Sequence, residues 1–150
     1  MINAEGLQQL HDELFAITWD THDLVRSTCT PICNRYGITL QQMHVLSELR
    51  RMPGTTVGAL SDKSGILRTN FAAVCRKLED KGLITRDNKD GDKRAYVLSL
   101  SDKGLTLLMN IENEILIDIQ DRSESVSQDM VQQALNGLKA LRRLIQNLER

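Results

Sequence analysis

A change of hydrophobic period between residues 67 and 104 constrains the fold of this chain more than any other feature. Over residues 67–81 the apolar side chains recur at i, i+3, i+4 and i+7, the spacing of one buried face of an α-helix. After Gly82 the period becomes two, and Asp90-Gly91 is a strong signal for a turn between two β-strands. The middle of the chain is therefore predicted to be a helix followed directly by a β-hairpin.

Further helices are predicted on both sides of this unit. Thr39 and Gln42 form a capping box at the start of one helix, and Ser101 is suited to cap another. Pro31 should end or kink the first helix, and Thr55 should begin the third. The predicted helices cover about 4 to the high twenties, 40–51, 55–63, 67–81, 101–121 and 128–150, and the predicted strands about 83–86 and 95–100. The expected fold is thus mainly α with a small β-wing.

The composition excludes several classes of protein. With 41% hydrophobic and 26% charged residues in 150, the chain has the composition of one globular domain. It has no apolar run long enough to cross a membrane and no signal-peptide pattern at its start, so we expect a cytoplasmic protein without a membrane partner. Its three cysteines have no framework spacing, which argues against a disulfide scaffold. It has no Gly-rich phosphate loop and no His-Glu-x-x-His motif, so we expect no enzyme, cofactor or metal.

Charge is distributed unevenly although the net charge is only −1. Residues 63–94 contain nine basic and five acidic side chains, whereas residues 1–62 carry a net −3 and residues 95–150 a net −2. A basic segment on a mildly acidic body is typical of a nucleic-acid-binding protein, although chance clustering of a few charges would look the same.

The predicted helix at 67–81 has one face for a core and another for a partner. Its inner stripe is Phe71, Val74, Cys75 and Leu78. Its outer face carries groups that can hydrogen-bond base edges and phosphates, and the hairpin tip can reach an adjacent minor groove. The candidate DNA-binding residues on these two elements are Arg68, Thr69, Asn70, Ala73, Arg76, Lys77, Lys93 and Arg94. The order helix, turn, helix, hairpin is that of a winged helix-turn-helix.

The sequence from Asp92 to Gly104 resembles the wing signature of MarR-family transcriptional regulators. In that signature Asp-x-Arg is followed after three residues by Leu-x-Leu, then by Thr or Ser, and two residues later by Gly; every fixed position is filled here. Residues 78–84 are similar to the family's passage from recognition helix to wing. The resemblance extends over the whole chain and implies one MarR-like domain over 1–150. Within it, the winged-helix part would cover about 38–100 and the dimerisation helices about 4–30 and 102–150.

The resemblance implies a homodimer that binds a palindromic operator, mostly as a repressor, and is released by a small aromatic or phenolic ligand. The recognition helix at 67–81 would enter the major groove and the wing at 83–100 would lie at the minor groove. Arg68, Thr69, Asn70 and Ala73 match base-reading positions, Arg76 and Lys77 match phosphate-facing ones, and Asp92 matches the ion-pair partner of the wing arginine, Arg94. The implied dimer interface comprises Leu7, Leu10, Leu14, Leu138, Leu141, Ile145 and Leu148. Independently, the terminal helices have more apolar surface than a small head can cover.

A candidate ligand site lies beside the leucine stripe of the first helix. At 100° per residue, seven side chains fall within about 80° of one another: His11, Phe15, Trp19, His22, Arg26, Cys29 and Cys33. An aromatic wall with a cation suits an anionic ligand, although the same strip would also serve as the boundary of a core.

Three other interpretations stay open at this point. Cys29 and Cys33 could form a redox switch, with Arg26 lowering a thiol pKa. A metal site from these cysteines with His22 and His44 is conceivable, but the family's zinc sensors use histidines on the fifth helix, and residues 101–122 contain none. The third alternative is a winged-helix module that binds a protein partner without specific DNA binding.

Overall fold

The computed structural model describes residues 3–64, 68–88 and 96–148, without the side chains of Ser64, Arg68, Thr69 and Leu148. Its elements are α1 (Ala4–Arg35), α2 (Leu40–Arg51), β1 (Thr55–Thr56), α3 (Val57–Ser64), α4 (Arg68–Asp80), β2 (Ile84–Asn88), β3 (Tyr96–Leu100), α5 (Asp102–Asp121) and α6 (Gln128–Leu148). They form two compact units, Met1–Leu116 and Ile117–Arg150. The mainly helical fold with a small β-sheet is confirmed. In the part of the chain covered by these elements, no helix has the length and apolarity needed to span a bilayer.

Helix α1 is longer than predicted, because Pro31 does not end it. The helix runs on to Arg35, and Gly37 follows it with a φ of 71°. Proline removes a backbone donor and destabilises a helix interior by about 3 kcal/mol. Here Pro31 is exposed, whereas Ile32 and Cys33 beside it are buried in the core. Tertiary packing therefore outweighs the local preference.

The sheet contains a strand that the sequence analysis missed. Thr55 and Thr56, predicted to begin a helix, form β1 instead, which pairs antiparallel with β3 at Thr55↔Leu98. Strand β3 is central and also pairs antiparallel with β2, in the strand order β1-β3-β2. The Thr56 hydroxyl then accepts a hydrogen bond from the amide of Ala59, at 3.2 Å, and so caps α3.

One core holds α2, α3, α4 and the sheet together. The predicted inner stripe of α4 is confirmed: Phe71, Cys75 and Leu78 are completely buried, and Val74 nearly so. The other core side chains come from the end of α1, from α2, α3, the sheet and α5, and from the turns after α1 and α4: Ile32, Cys33, Ile38, Val45, Leu46, Leu49, Leu60, Leu83, Ile84, Leu98, Leu108 and Ile111.

Helix α5 starts at a close backbone contact with the turn that follows α4. The Ser101 hydroxyl donates to the carbonyl of Gly82 at 2.6 Å and accepts from the amide of Gly104 at 3.0 Å. The Ser101 amide donates to the carbonyl of Leu83 at 3.1 Å. A Cβ atom at position 104 would lie 2.0 Å from the same carbonyl oxygen, so only glycine fits. The Ser and Gly of the wing signature thus join the hairpin to α5.

The second unit contains the end of α5 and all of α6. Ser127 caps α6, since its hydroxyl accepts from the amide of Met130 at 3.1 Å. Apolar side chains along α6, among them Met130, Leu138 and Ile145, are exposed in the single chain.

Candidate nucleic-acid interface

The outer face of α4 is the first part of the candidate interface. Asn70, Ala73, Arg76 and Lys77 are exposed, on the side opposite the buried stripe. Asn70 lies in the first turn of α4, where a recognition helix contacts bases, and the two cations lie almost two turns further on. The remaining predicted base contacts, Arg68 and Thr69, occupy the first turn of the helix, but their side chains lie outside the described part.

The wing is the second part. Strands β2 and β3 form a regular antiparallel ladder from Ile84↔Leu100 to Asn88↔Tyr96. Residues 89–95 join them and carry the predicted wing residues Asp92, Lys93 and Arg94, which lie outside the described residues. Their contacts with DNA therefore stay a prediction.

An ion pair joins strand β2 to helix α4. Arg86 in β2 donates from Nε and Nη2 to the two carboxylate oxygens of Glu79, at 2.8 and 3.0 Å. Its guanidinium also lies over the Tyr96 ring, 5.4 Å from the centroid. The hydrogen bonds that Arg86 donates to Glu79 raise the pKa of Arg86. Sequence reasoning missed this pair because a separation of seven residues across a turn carries no signal until the strand register is known.

Two further ion pairs hold α5 against the ends of α1 and α2. Arg50 donates from both terminal nitrogens to the two carboxylate oxygens of Glu112, each at 2.6 Å, and this raises the Arg50 pKa. Arg35 pairs with Glu114, and the hydrogen bond from Arg35 lowers the pKa of that carboxyl. Helix α2, which packs on α3 and α4, is thereby fixed to α5.

An open cavity of about 460 Å³ lies between α1 and α2. Three aliphatic side chains, two threonines and two histidines line it: Ile17, Thr18, Thr21, His22, Val25, Leu40 and His44. This lining combines apolar walls with hydroxyl and imidazole groups, and it suits a small ligand that has both an apolar body and a polar substituent.

The sequence from α2 to the start of β3 matches a known family. Residues 38–96, which include α2, β1, α3, α4, β2 and the first residue of β3, match the MarR family model. A proposed transcriptional regulatory protein for the hcr operon of Thauera aromatica is 32% identical over 102 residues, which are 68% of this chain and 61% of that protein. The chain belongs to the MarR family.

Other relatives of this MarR-family chain agree with the assignment. The homoprotocatechuate degradative operon repressor of Escherichia coli is 26% identical over 106 residues, 71% of this chain and 72% of the repressor. The structure of the transcriptional repressor CouR bound to a 23-mer DNA duplex superposes with a TM-score of 0.70 at 25% identity, covering 94% of this chain and 98% of CouR. The match to the Thauera relative spans less than two thirds of that protein's length.

Of the seven residues in the predicted ligand strip of this MarR-family chain, only His22 lines the cavity. Cys29 and Cys33 are buried, whereas His11 and Arg26 are exposed, as are Phe15 (60%) and Trp19 (69%). The lining residues that were missed do have a signal, since Thr18, Thr21, His22 and Val25 recur at i, i+3, i+4 and i+7. The predicted strip consists largely of aromatic, ionisable and thiol side chains and so leaves out the threonines.

The cysteines of this MarR-family chain have the properties of buried thiols. None of the three forms a disulfide, and the Cys33 Sγ lies 3.4 Å from the Sδ of Met43. Burial raises the pKa of Cys33 to about 11 and that of Cys75 to about 11. Such thiols are protonated at neutral pH and react slowly, which disfavours the redox interpretation. Within residues 3–64, 68–88 and 96–148, no group of three His, Cys, Asp or Glu side chains could hold a metal ion.

Proposed function

We propose that the protein is a homodimeric transcriptional regulator that binds a palindromic operator, most simply as a repressor, and is released by a small ligand. The observation that carries this proposal is the division of α4 into a buried apolar face and an exposed face bearing Asn70, Arg76 and Lys77, followed directly by a hairpin. That arrangement lets a helix enter the major groove while its other side stays packed. The E. coli relative, named as an operon repressor, supports it.

Each interface residue then has a role. Arg68, Thr69, Asn70 and Ala73 contact base edges, and Arg76 and Lys77 contact phosphates. At the wing, Lys93 and Arg94 reach the minor groove and Asp92 holds Arg94 in place. The single domain divides into a DNA-binding part at about 38–100 and dimerisation helices at about 4–30 and 102–150.

Exposed apolar side chains on the terminal helices support the dimer. Leu7 is 50% exposed, Leu138 55% and Ile145 44%, while Leu10, Leu14 and Leu141 are half-buried. Fully burying one such side chain stabilises an interface by about 1.5–3 kcal/mol. A second copy that covers these residues together with Leu148 would remove this surface from water.

The cavity between α1 and α2 is the proposed effector site. Helix α2 presents Leu40 and His44 to the cavity, while its opposite face, including Leu46 and Leu49, packs in the core with α3 and α4. A ligand that displaces α2 therefore also displaces the recognition helix. Apolar walls with two imidazoles favour a small aromatic acid or phenol, and the degradative operon named for the E. coli relative concerns such a compound.

The proposal is tested by titrating the protein onto a labelled duplex from the region upstream of its own gene. We expect Arg76→Ala with Lys77→Ala to weaken binding and to lower the slope of log affinity against log salt by about four, because each of the two protomers loses two phosphate contacts. The matched control is Arg142→Ala with Arg143→Ala, which removes two exposed cations from α6. Equal binding by both variants would refute DNA contact through α4 and favour the protein-interaction module.

The ligand part of the proposal is tested with the same duplex and a series of hydroxylated aromatic acids. Val25→Phe places a larger side chain in the cavity between α1 and α2. We expect this variant to bind the duplex normally but to resist release by a compound that releases the wild type. Normal release of Val25→Phe would show that the effector binds elsewhere.

A further inference from the structure

Side chains from three elements meet at the base of the wing. Glu79 lies in the last turn of α4, Arg86 in the middle of β2, and Tyr96 at the first residue of β3. Arg86 contacts both of the others, through two hydrogen bonds to Glu79 and through its guanidinium face to the Tyr96 ring. The strand register explains this geometry. Arg86 pairs with Leu98, so Tyr96 is its diagonal neighbour, within reach of long side chains on one face of a sheet.

The exposed stretch of β2 is linked to α4 through this cluster. Ile84 anchors the root of the hairpin in the core, and Leu98 and Val97 are buried on β3 opposite Arg86 and Asp87. After Ile84, however, every residue of β2 is exposed: Thr85, Arg86, Asp87 and Asn88. A two-stranded hairpin is only marginally stable by itself. Arg86 is the residue of this exposed stretch for which the structure shows a contact with α4.

The charge of Arg86 is already compensated in the free protein. Both carboxylate oxygens of Glu79 accept from it, and the two side chains are only 33% and 26% exposed. A carboxylate on a helix that approaches phosphates would by itself oppose DNA binding. A role in holding the wing in place would explain why Glu79 lies there, paired with Arg86.

We propose that Glu79, Arg86 and Tyr96 form a wing-positioning cluster that fixes the angle between α4 and strands β2 and β3. The recognition helix and the wing then meet the two grooves of an operator as one rigid body, which lowers the conformational entropy lost on binding. Arg86 is in this view a positioning residue and contacts no phosphate. The inference rests on the proposed DNA-binding function.

Glu79→Gln gives a test in which two explanations predict opposite changes in operator affinity. If Glu79 acts only through its charge, removing it strengthens operator binding, since one source of repulsion is lost. If Glu79 positions the wing, operator binding weakens, and we expect a loss of about three- to tenfold for a partly exposed ion pair.

Arg86→Lys gives a second test in which the two explanations predict different results. Lysine keeps the positive charge but lacks the planar guanidinium that makes two hydrogen bonds and stacks on a ring. A phosphate-contacting Arg86 predicts nearly wild-type binding for this variant, whereas a positioning role predicts a loss similar to that of Glu79→Gln. Tyr96→Phe is the conservative control, since it keeps the ring under the guanidinium and should bind as the wild type does. Exchange of the pair, Glu79→Arg with Arg86→Glu, should recover part of the affinity.

Hydrogen–deuterium exchange without DNA separates positioning from general destabilisation. Glu79→Gln and Arg86→Lys should exchange faster in β2 and β3, with α2 and α5 unchanged. Binding equal to or tighter than wild type, or unchanged exchange in the hairpin, would overturn the proposal. If Arg76→Ala with Lys77→Ala loses binding but Glu79→Gln does not, only this inference fails. If the wild type itself does not bind, the proposed function fails, and the exchange data still decide whether the cluster holds the wing.

Discussion

Gly104 lies where a single added carbon would meet the backbone of another segment. Its Cβ would lie 2.0 Å from the carbonyl oxygen of Leu83, a backbone atom that cannot move without shifting the turn after α4. We expect Gly104→Ala to lower the free energy of unfolding by about 2 kcal/mol or more in urea denaturation.

Gly137→Ala is the matched control for that change. A Cβ at position 137 in α6 meets nothing within 4 Å, so the substitution should instead raise the free energy of unfolding by about 0.5–1 kcal/mol through helix propensity. Effects of the same sign at both positions would contradict the close contact at Gly104.

The two thiols with raised pKa values give an expected dependence of stability on pH. Cys33 and Cys75 have folded-state pKa values of about 11, above the ordinary value of 9.0. The unfolded chain therefore loses these protons first as the pH rises. The contribution of these groups is fully present below about pH 9 and is lost as the pH rises towards 11.

We expect urea unfolding to show a steeper loss of stability between pH 9 and 11 for the wild type than for Cys33→Ala with Cys75→Ala. The comparison cancels the tyrosines and lysines that titrate in the same range. Parallel pH profiles for the two proteins would mean that the thiols ionise as readily in the fold as in the unfolded chain.

At the scale of elements, the hydrogen bond that Pro31 cannot make within α1 leads to a prediction about stability. Proline lacks the amide that would donate to the carbonyl of Ser27, and Pro31 is exposed within an otherwise continuous helix. We expect Pro31→Ala to raise the free energy of unfolding by about 1 kcal/mol, since the restored hydrogen bond exceeds the added entropy of the unfolded chain.

Asn34→Ala, an exposed position in the same last turn, controls for helix propensity and should change stability by only about 0.5 kcal/mol. A loss of stability in Pro31→Ala would show that the packing of Ile32 and Cys33 needs the geometry that proline imposes.

The elements that could be predicted from the sequence are those whose own residues decide them. The capping box at Thr39 and Gln42 fixes the start of α2, and the structure shows both of its hydrogen bonds. The continuation of α1 past Pro31 and the two-residue strand β1 could not be predicted, because each depends on partners distant in the sequence. The same division holds within the candidate site. The face of α4 follows from one helix period, whereas the ion pair of Arg86 requires the register of the hairpin.

At the scale of the whole molecule, the exposed apolar residues of α6 predict the state of assembly. We expect Leu138→Glu to convert the protein from the mass of two chains to that of one in analytical ultracentrifugation, because it places a charge in the proposed interface. Operator affinity should fall with it, since a monomer contacts only one half-site.

Lys139→Glu, at the next and also exposed position of α6, is the control and should leave the mass unchanged. If wild type and Leu138→Glu both sediment as single chains, the exposed apolar residues need another explanation. If both sediment as dimers, Leu138 lies outside the interface.

The two faces of α4 separate what keeps the protein folded from what it recognises. Phe71, Cys75 and Leu78 hold the helix in place, while Asn70, Ala73 and their exposed neighbours make no contribution to the core. Under the proposed function, substitutions at the outer positions can alter the preferred operator at little risk to the fold. Descendants of one ancestral chain could thus come to control different genes through a few surface changes, and a library randomised at these positions should be rich in folded proteins with new targets.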